Sequence, residues 1–339
     1  MEQLFTASPQ GDSSQKIIPA FKIIEKELKQ IISLINKELA PCPYKSDIDE
    51  LLKYITAQSG KMLRPALVLL AGKCCGKITD EHLQVAAIFE IIHNATLVHD
   101  DVVDNSQMRR GKQSVNHIYG NESAVLLGDF LLSKVFKMCA ELRPEIAKEI
   151  AWAAMITCQG ELNQNLRKHN WKISQAEYIE VISDKTAAIF KSCCRLGAFL
   201  SGADEQTIQN LTDFGLNIGI AFQIVDDLLD VCGDKNRTGK NIGNDFETAK
   251  PTLPLIHFLG FAENKEKSEL LTLLQSETSV SSLSVDIKQK LIDSGSLDYS
   301  KQYAEKLINE AINNLAPLPQ NPAKTSLIET AKFILHQVN

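Results

Sequence analysis

The sequence predicts an all-α protein: a large single-domain helical bundle with a central cavity between helices. Three observations lead there. Apolar residues recur at spacings of three and four through most of the 339 residues. No stretch shows the two-residue alternation of a half-buried strand. No Pro/Gly/Ser linker divides the chain, and its 44% hydrophobic and 23% charged residues suffice for one large core.

The elements follow in order. Residues 1–15 are polar, lack an apolar signal core and are expected to form a flexible tail, leaving 16–339 as the single domain. Phe21, Ile24, Leu28, Ile31, Ile35 and Leu39 mark an amphipathic helix that stops before Pro41. Further helices are expected at about 48–58, 62–73, 80–104, 122–140, 144–168, 174–201, 205–232 and 252–261, with several more near the C-terminus. The stretch from Ser276 to Asp286 is rich in serine and is expected to be a surface connection. Helices of this number and length pack as a bundle whose site lies between facing helices.

Composition excludes several function classes. A net charge of −6 argues against general nucleic-acid or anionic-membrane binding, so any phosphate site must be local. No window approaches the length of apolar sequence that spans a bilayer. Eight cysteines include the adjacent pairs Cys74, Cys75 and Cys193, Cys194 but no CxxC, which predicts reduced thiols and a cytoplasmic location. The seven histidines form no HxxxH or Cys/His set, which speaks against zinc.

The chemistry is carried by two copies of DDxxD. In HDDVVD, Asp100 and Asp104 stand one above the other on a helix with Asp101 alongside; in QIVDDLLD, Asp226, Asp227 and Asp230 repeat the pattern. A single such motif is most often a solvated acidic helix end. Two copies, flanked by Leu97, Val98, Val102 and Val103 and by Phe222, Ile224, Val225, Leu228 and Leu229, are not explained that way. Like charges one turn apart repel, and carboxylates without thiol or imidazole partners suit hard divalent cations such as Mg²⁺, which complete their shell with water and substrate phosphate. Two acidic faces could thus hold a diphosphate between them.

Basic residues surround these motifs. Lys61 and Arg64 in GKMLRP lie on one side of a helical turn; Arg109, Arg110 and Lys112 follow the first acidic set, where adjacent arginines could serve two different ligands. Taken alone, such a basic loop is as easily a neutralising surface turn. Lys185, Thr186, Gln223 and Lys240 add donors, and Gly239 and Gly243 would let the loop after the second motif bend close to a ligand. No P-loop or dinucleotide fingerprint is present, which argues against ATP and NAD.

At this point the residues match a family. GKMLRP, HNATLVHDDVVDNSQMRRGK, GELNQ, KTAAIFKSCCRLGA, AFQIVDDLLD and GKNIGNDFETAKPTLPL resemble the trans-isoprenyl diphosphate synthases, in particular the long-chain polyprenyl diphosphate synthases of octaprenyl or solanesyl type, over residues 17–338. The resemblance implies an all-α homodimer that condenses an allylic diphosphate primer with isopentenyl diphosphate, using two or three Mg²⁺ ions. It places Asp100, Asp101, Asp104, Asp226, Asp227 and Asp230 on the metal, with Asp226 the foremost direct ligand of its set. It places Arg109, Lys185, Gln223 and Lys240 on the allylic diphosphate and Thr186 near the reacting carbon. Lys61, Arg64, His93 and Arg110 are placed around isopentenyl diphosphate, with Gly60 shaping that pocket's entrance. His93 taken alone would be read as a core histidine. Asn244 stands where many relatives carry aspartate, Asp245 is kept, and the ending FILHQVN lacks the family's basic C-terminus; these departures concern closure of the site, not the reaction. Transient membrane contact for product release is left open.

Product length is expected to follow from the residues one turn deeper than Asp100. Ala95 and Thr96 are small where short-chain relatives often carry aromatic residues, which opens a path toward Ile92 and Phe89. A helix over 80–104 is about 37 Å long and could flank some seven isoprene units, which points to a product of roughly thirty to fifty carbons. Phe136 and Cys139 on the neighbouring helix are candidates for the floor. Three other readings compete with this one: a medium-chain, geranylgeranyl-type synthase; a class I terpene cyclase, which usually pairs one aspartate-rich motif with an Asn/Ser/Glu motif; and a non-catalytic subunit of a heteromeric synthase. The second DDxxD and the Lys61, Arg64 pair argue against the cyclase, and two intact acidic sets argue against the inactive subunit.

Overall fold

A computed structural model describes residues 19–40, 47–56, 60–232, 248–275 and 280–337. Pro19–Ile24 form a 3₁₀ turn that runs into α1 (Glu25–Glu38). There follow α2 (Asp47–Thr56), α3 (Leu63–Cys75) and α4 (Asp80–Val103). A two-stranded hairpin, β1 (Met108–Arg109) and β2 (Lys112–Gln113), leads to α5 (Val115–Cys139) and α6 (Pro144–Leu166). Next come α7 (Gln175–Ile182), a π-helical turn (Ser183–Ala187), α8 (Ala188–Leu200) and α9 (Glu205–Cys232). The C-terminal part comprises α10 (Leu253–Phe261), α11 (Asn264–Gln275), α12 (Val280–Asp293), α13 (Ser296–Asn314) and α14 (Pro322–Leu335).

The bundle is built around α3, α4, α8 and α9. α3 packs on α4 and α8, α8 on α9, α4 on α5, and α9 on α13. Their facing stripes of Leu67, Leu70, Ile88, Phe89, Ile91, Phe190, Phe214 and Ile218 are fully buried, which supplies the main hydrophobic stabilisation. Glycines let the central helices touch: a Cβ on Gly197 of α8 would sit 2.3 Å from the Val68 carbonyl oxygen of α3. A smaller core joins Val231 to Leu255, Phe258, Leu270, Ile287 and Leu291.

The expected helices are found within a few residues of their bounds, with four differences. The helix expected from about 122 starts at Val115, because Gly120 at φ 85° breaks a short turn away from the main helix without ending the run. The single helix expected over 174–201 is interrupted by the π-helical turn. The hairpin was not foreseen, since strands of two residues carry no period. From Val280 onward the supposed surface connection is α12, whose Ile287 and Leu291, one turn apart, close the smaller core; residues 276–279 lie outside the described ones. No helix among the described residues is long and apolar enough to cross a membrane.

Candidate active site

The two acidic sets lie on α4 and α9 and share neighbours. α4 carries Asp100 and Asp101 in its last turn, with Asp104 as its C-terminal cap; α9 carries Asp226, Asp227 and Asp230 in its last two turns. Within each set the middle aspartate is turned into the protein. Asp101 is buried and its Oδ1 accepts from Arg109 Nε at 2.9 Å. Asp227 is buried, accepting from the Tyr178 hydroxyl at 2.6 Å and from Gln223 Nε2 at 2.8 Å. Asp100, Asp104, Asp226 and Asp230 are partly exposed.

Lys185 joins the sets. Its ammonium lies 2.7 Å from Glu161 Oε2 and donates to Gln164 Oε1 at 2.7 Å, both on α6. Burial would strip its proton, but Glu161 and Asp100 outweigh that effect and push its pKa up, so Lys185 stays charged. Burial raises the Asp100 carboxyl to about 6 against the pull of Lys185, while Glu161 and Asp104 add repulsion. Asp227 is likewise raised to about 6 by burial, opposed by its Tyr178 and Gln223 hydrogen bonds and reinforced by Asp226. Crowded carboxylates held near their titration point are what a site for cations and diphosphate would contain.

The π-helical turn aims the next group. It projects Thr186, whose hydroxyl donates to Gln223 Oε1 at 2.6 Å, so Thr186, Gln223, Asp227 and Tyr178 form one hydrogen-bonded chain. Such one-turn π segments often occur at functional sites because the extra residue re-aims side chains. Two glycines seat the turn. A Cβ on Gly160 of α6 would lie 2.2 Å from the Lys185 backbone nitrogen, and one on Gly219 of α9 would lie 2.6 Å from Ala187 Cα.

A second cationic pocket adjoins the first. The hairpin turn places Arg110 and Gly111 at φ 53° and 75°, the left-handed pair that a tight two-residue turn requires. The adjacent arginines therefore diverge: Arg109 reaches Asp101, while the Arg110 guanidinium lies over Gly60, where an added Cβ would be 2.5 Å from Nη2. The Arg64 guanidinium sits 5.2 Å from the Phe190 ring centre, and its Nε is buried without a hydrogen-bond partner among the described residues. Lys61 donates to Gln337 Oε1 at 2.7 Å and lies 5.2 Å from the Phe333 ring centre. Burial, then Arg64 and Arg110, keep His93 neutral, its pKa well below the usual imidazole value. Glu90 is the buried counter-charge; burial raises its pKa while Arg64 and Arg110 pull it down. A buried guanidinium nitrogen without a partner, beside further cations, is a donor that an anion could take.

Comparisons with known proteins identify the family. A family model described as Polyprenyl synthetase matches residues 45–290. This chain belongs to that family. It is 35% identical to octaprenyl diphosphate synthase of Escherichia coli over 291 residues, covering 86% of this chain and 90% of the relative. Among solved structures it resembles a polyprenyl synthase from Caulobacter crescentus complexed with calcium and isoprenyl diphosphate, at TM-score 0.87 and 34% identity, covering 93% of this chain and 96% of that one. It also resembles a decaprenyl diphosphate synthase from Rhodobacter capsulatus, at TM-score 0.88 and 31% identity, covering 94% and 98%.

The polyprenyl synthetase chain is thus a prenyltransferase. No three His, Cys, Asp or Glu among the described residues gather closely enough to hold a metal by themselves. The carboxylate oxygens of Asp100, Asp104, Asp226 and Asp230 are donors of the kind that hard divalent cations take.

The structure brings together the described site residues expected from sequence, with one correction and one gap. Phe136 is 70% exposed and does not form a floor between α4 and α5. The buried stripe of α5 runs through Leu127, Leu131, Val135 and Met138, and Phe136 falls one position out of phase with it. Cys139 is half-buried at the edge of that stripe. Ala95, Ile92 and Phe89 are buried inward of Asp100, and Thr96 is half-buried with its hydroxyl on the His93 carbonyl. Lys240, Gly239, Gly243, Asn244 and Asp245 lie outside the described residues.

Sequence reasoning missed Glu161, Gln164, Tyr178, Glu90 and Lys250. Glu161 stands inside GELNQ and Glu90 lies ten residues before Asp100, so a charged residue in an apolar helix was the available signal for both; Gln164, uncharged, shares only the GELNQ motif. Tyr178 gave no signal beyond its type.

Proposed function

We propose that this prenyltransferase condenses an allylic diphosphate primer with successive isopentenyl diphosphate units to give a long all-trans polyprenyl diphosphate of roughly thirty to fifty carbons, with Mg²⁺ assisting the allylic diphosphate's departure. The observation that carries this reading is the pairing of two anion sites of different chemistry. One is carboxylate-rich and bridged by Lys185. The other is metal-free in character, built from Lys61, Arg64, Arg110 and neutral His93.

Two or three Mg²⁺ ions, held by Asp100, Asp104, Asp226 and Asp230, would neutralise charge on the leaving diphosphate. Lys185, kept protonated by Glu161 and Asp100, supplies a fixed positive charge at the same place. Arg109 is anchored by Asp101 and leaves its remaining donors for phosphate oxygens. The Thr186 hydroxyl, held by Gln223, would lie near the reacting carbon. The second pocket grips isopentenyl diphosphate through its guanidinium groups, with its double bond turned to the allylic carbon. No side chain is required as nucleophile, because the double bond attacks, and the released diphosphate takes up the proton.

The growing chain runs past Ala95 toward Ile92 and Phe89. Phenylalanine at position 95 would fill that path one turn below Asp100, so Ala95→Phe is expected to shorten the product. Incubating the purified chain with labelled isopentenyl diphosphate, separate allylic primers and Mg²⁺, followed by chromatography, tests both statements. Products of geranylgeranyl length from the wild type would overturn the long-chain reading, no product from the chain alone would favour a subunit role, and an unchanged distribution in Ala95→Phe would refute the path.

A homodimer is part of this reading. Its support is the set of large apolar side chains left exposed on α5 and α6, among them Leu126, Phe136, Met155, Leu162 and Leu166. Sedimentation of the purified chain at twice the monomer mass is the expected result, and a monomer would count against it. A cytoplasmic location, expected from cysteines that form no CxxC, and brief membrane contact during product release belong to the same reading.

A further inference from the structure

Lys250 lies outside every role assigned above, yet it is among the most deeply placed cations of the site. Its side chain is 6% exposed, and its Nζ stands 2.8 Å from Asp104 Oδ1, across 146 positions of sequence. The backbone that delivers it is strained. Ala249 adopts φ 54° and His169 adopts φ 62°, both left-handed and neither glycine. The two are tied together, the His169 nitrogen donating to the Ala249 carbonyl at 3.0 Å. Pro251 follows, and Thr252 and Leu253 are buried at the start of α10. A lysine set between a strained residue and a proline, with buried neighbours on either side, has little freedom to swing away.

Its partner needs such a cation. Asp104 lies one turn from Asp100, and its charge acts on both the Asp100 carboxyl and the Lys185 ammonium. Lys185 is itself committed to Glu161 and Gln164. Exposed ion pairs contribute little, but breaking a buried one strands the remaining charge.

We infer that Lys250 is a positioning residue: a resident cation that fixes Asp104 and ties the segment following the second acidic set to the first set, so that the two faces keep their spacing and Asp104 is shared with a divalent cation when one binds. This rests on the divalent-metal reading of the site. The Lys250 ammonium and the metal act on the same carboxylate, so removing one makes the protein more dependent on the other.

Thermal melts of the full chain separate the possibilities. In chelator, Lys250→Met is expected to melt several degrees below wild type, and Mg²⁺ with inorganic pyrophosphate should raise its melting temperature by clearly more than it raises that of wild type. Lys250→Arg, which keeps the charge, is expected to show a wild-type metal response. Adding Asp104→Asn to Lys250→Met should recover part of the loss in chelator, because no stranded carboxylate remains; that recovery is also the readout if the single variant melts too low to titrate. Equal losses for Lys250→Met with and without metal, or no recovery in the double variant, would overturn the inference and leave Lys250 as ordinary packing. Absence of any Mg²⁺ and pyrophosphate response in the wild type would instead count against the metal reading itself.

Discussion

Asp226→Ala is expected to lower kcat by at least about 10²- to 10³-fold, the loss seen when one preorganised charge-stabilising group is removed from an active site. Asp226, like Asp230, is a partly exposed member of its set, whereas Asp227 beside it is held by Tyr178 and Gln223. Its field reaches across the site: it raises the Asp227 carboxyl and favours the charged form of Lys61 in the second pocket. Removing it relieves repulsion with Asp227 but also removes attraction to Lys61 and Arg109, so the metal-free protein should keep its fold and a cooperative melt. Loss of turnover with a retained fold is the expected pairing, measured by steady-state kinetics and a thermal melt. A near-normal rate would sink the assignment of the second acidic set, and a collapsed fold would show that Asp226 is structural.

Gly160→Ala is expected to cost about 10²-fold in kcat, the penalty associated with displacing a catalytic group by about 1 Å. The added Cβ would stand 2.2 Å from the Lys185 nitrogen and 2.7 Å from its Cα. Both are backbone atoms, so no side chain can rotate out of the way and the π-helical turn or α6 must shift. That shift carries Lys185 away from Glu161 and Gln164 and moves Thr186 relative to Gln223. The damage should appear as lower kcat and weaker use of the allylic primer, with isopentenyl diphosphate affinity little changed because the second pocket lies on other elements. A rate close to wild type would show that the turn is not seated by this contact. Equal loss of affinity for both substrates would point to general loosening of α6.

Much of this site was legible because it is locally encoded. Asp100 and Asp104, and Asp226 and Asp230, stack on one face in any helix, whatever surrounds it. The apolar flanks said those faces were not mere surface. Arg109 and Arg110 were legible as a pair, but their divergence needed the left-handed Arg110–Gly111 turn, and strands too short to carry a period gave no warning of it. The π-helical turn was hidden for a similar reason: one extra residue inside Ser183–Ala187 leaves the run of apolar residues on either side almost unbroken. Phe136 misled because an apolar side chain on an amphipathic helix reads as inward until the phase of the buried stripe is fixed.

By itself, then, the chain's order of residues determined the helices, the two acidic faces, the cationic groups near them and the family. Periodicity, charge and spacing act over a few neighbouring positions, and those are written directly in the chain. Only the tertiary structure decided which aspartate of each set is withdrawn into hydrogen bonds, that Lys185 is held by α6, that Lys250 reaches Asp104, and that two glycines press on the turn carrying Thr186. Those contacts join positions far apart in the chain, and they form only because burial of the α3, α4, α8 and α9 stripes brings their backbones together.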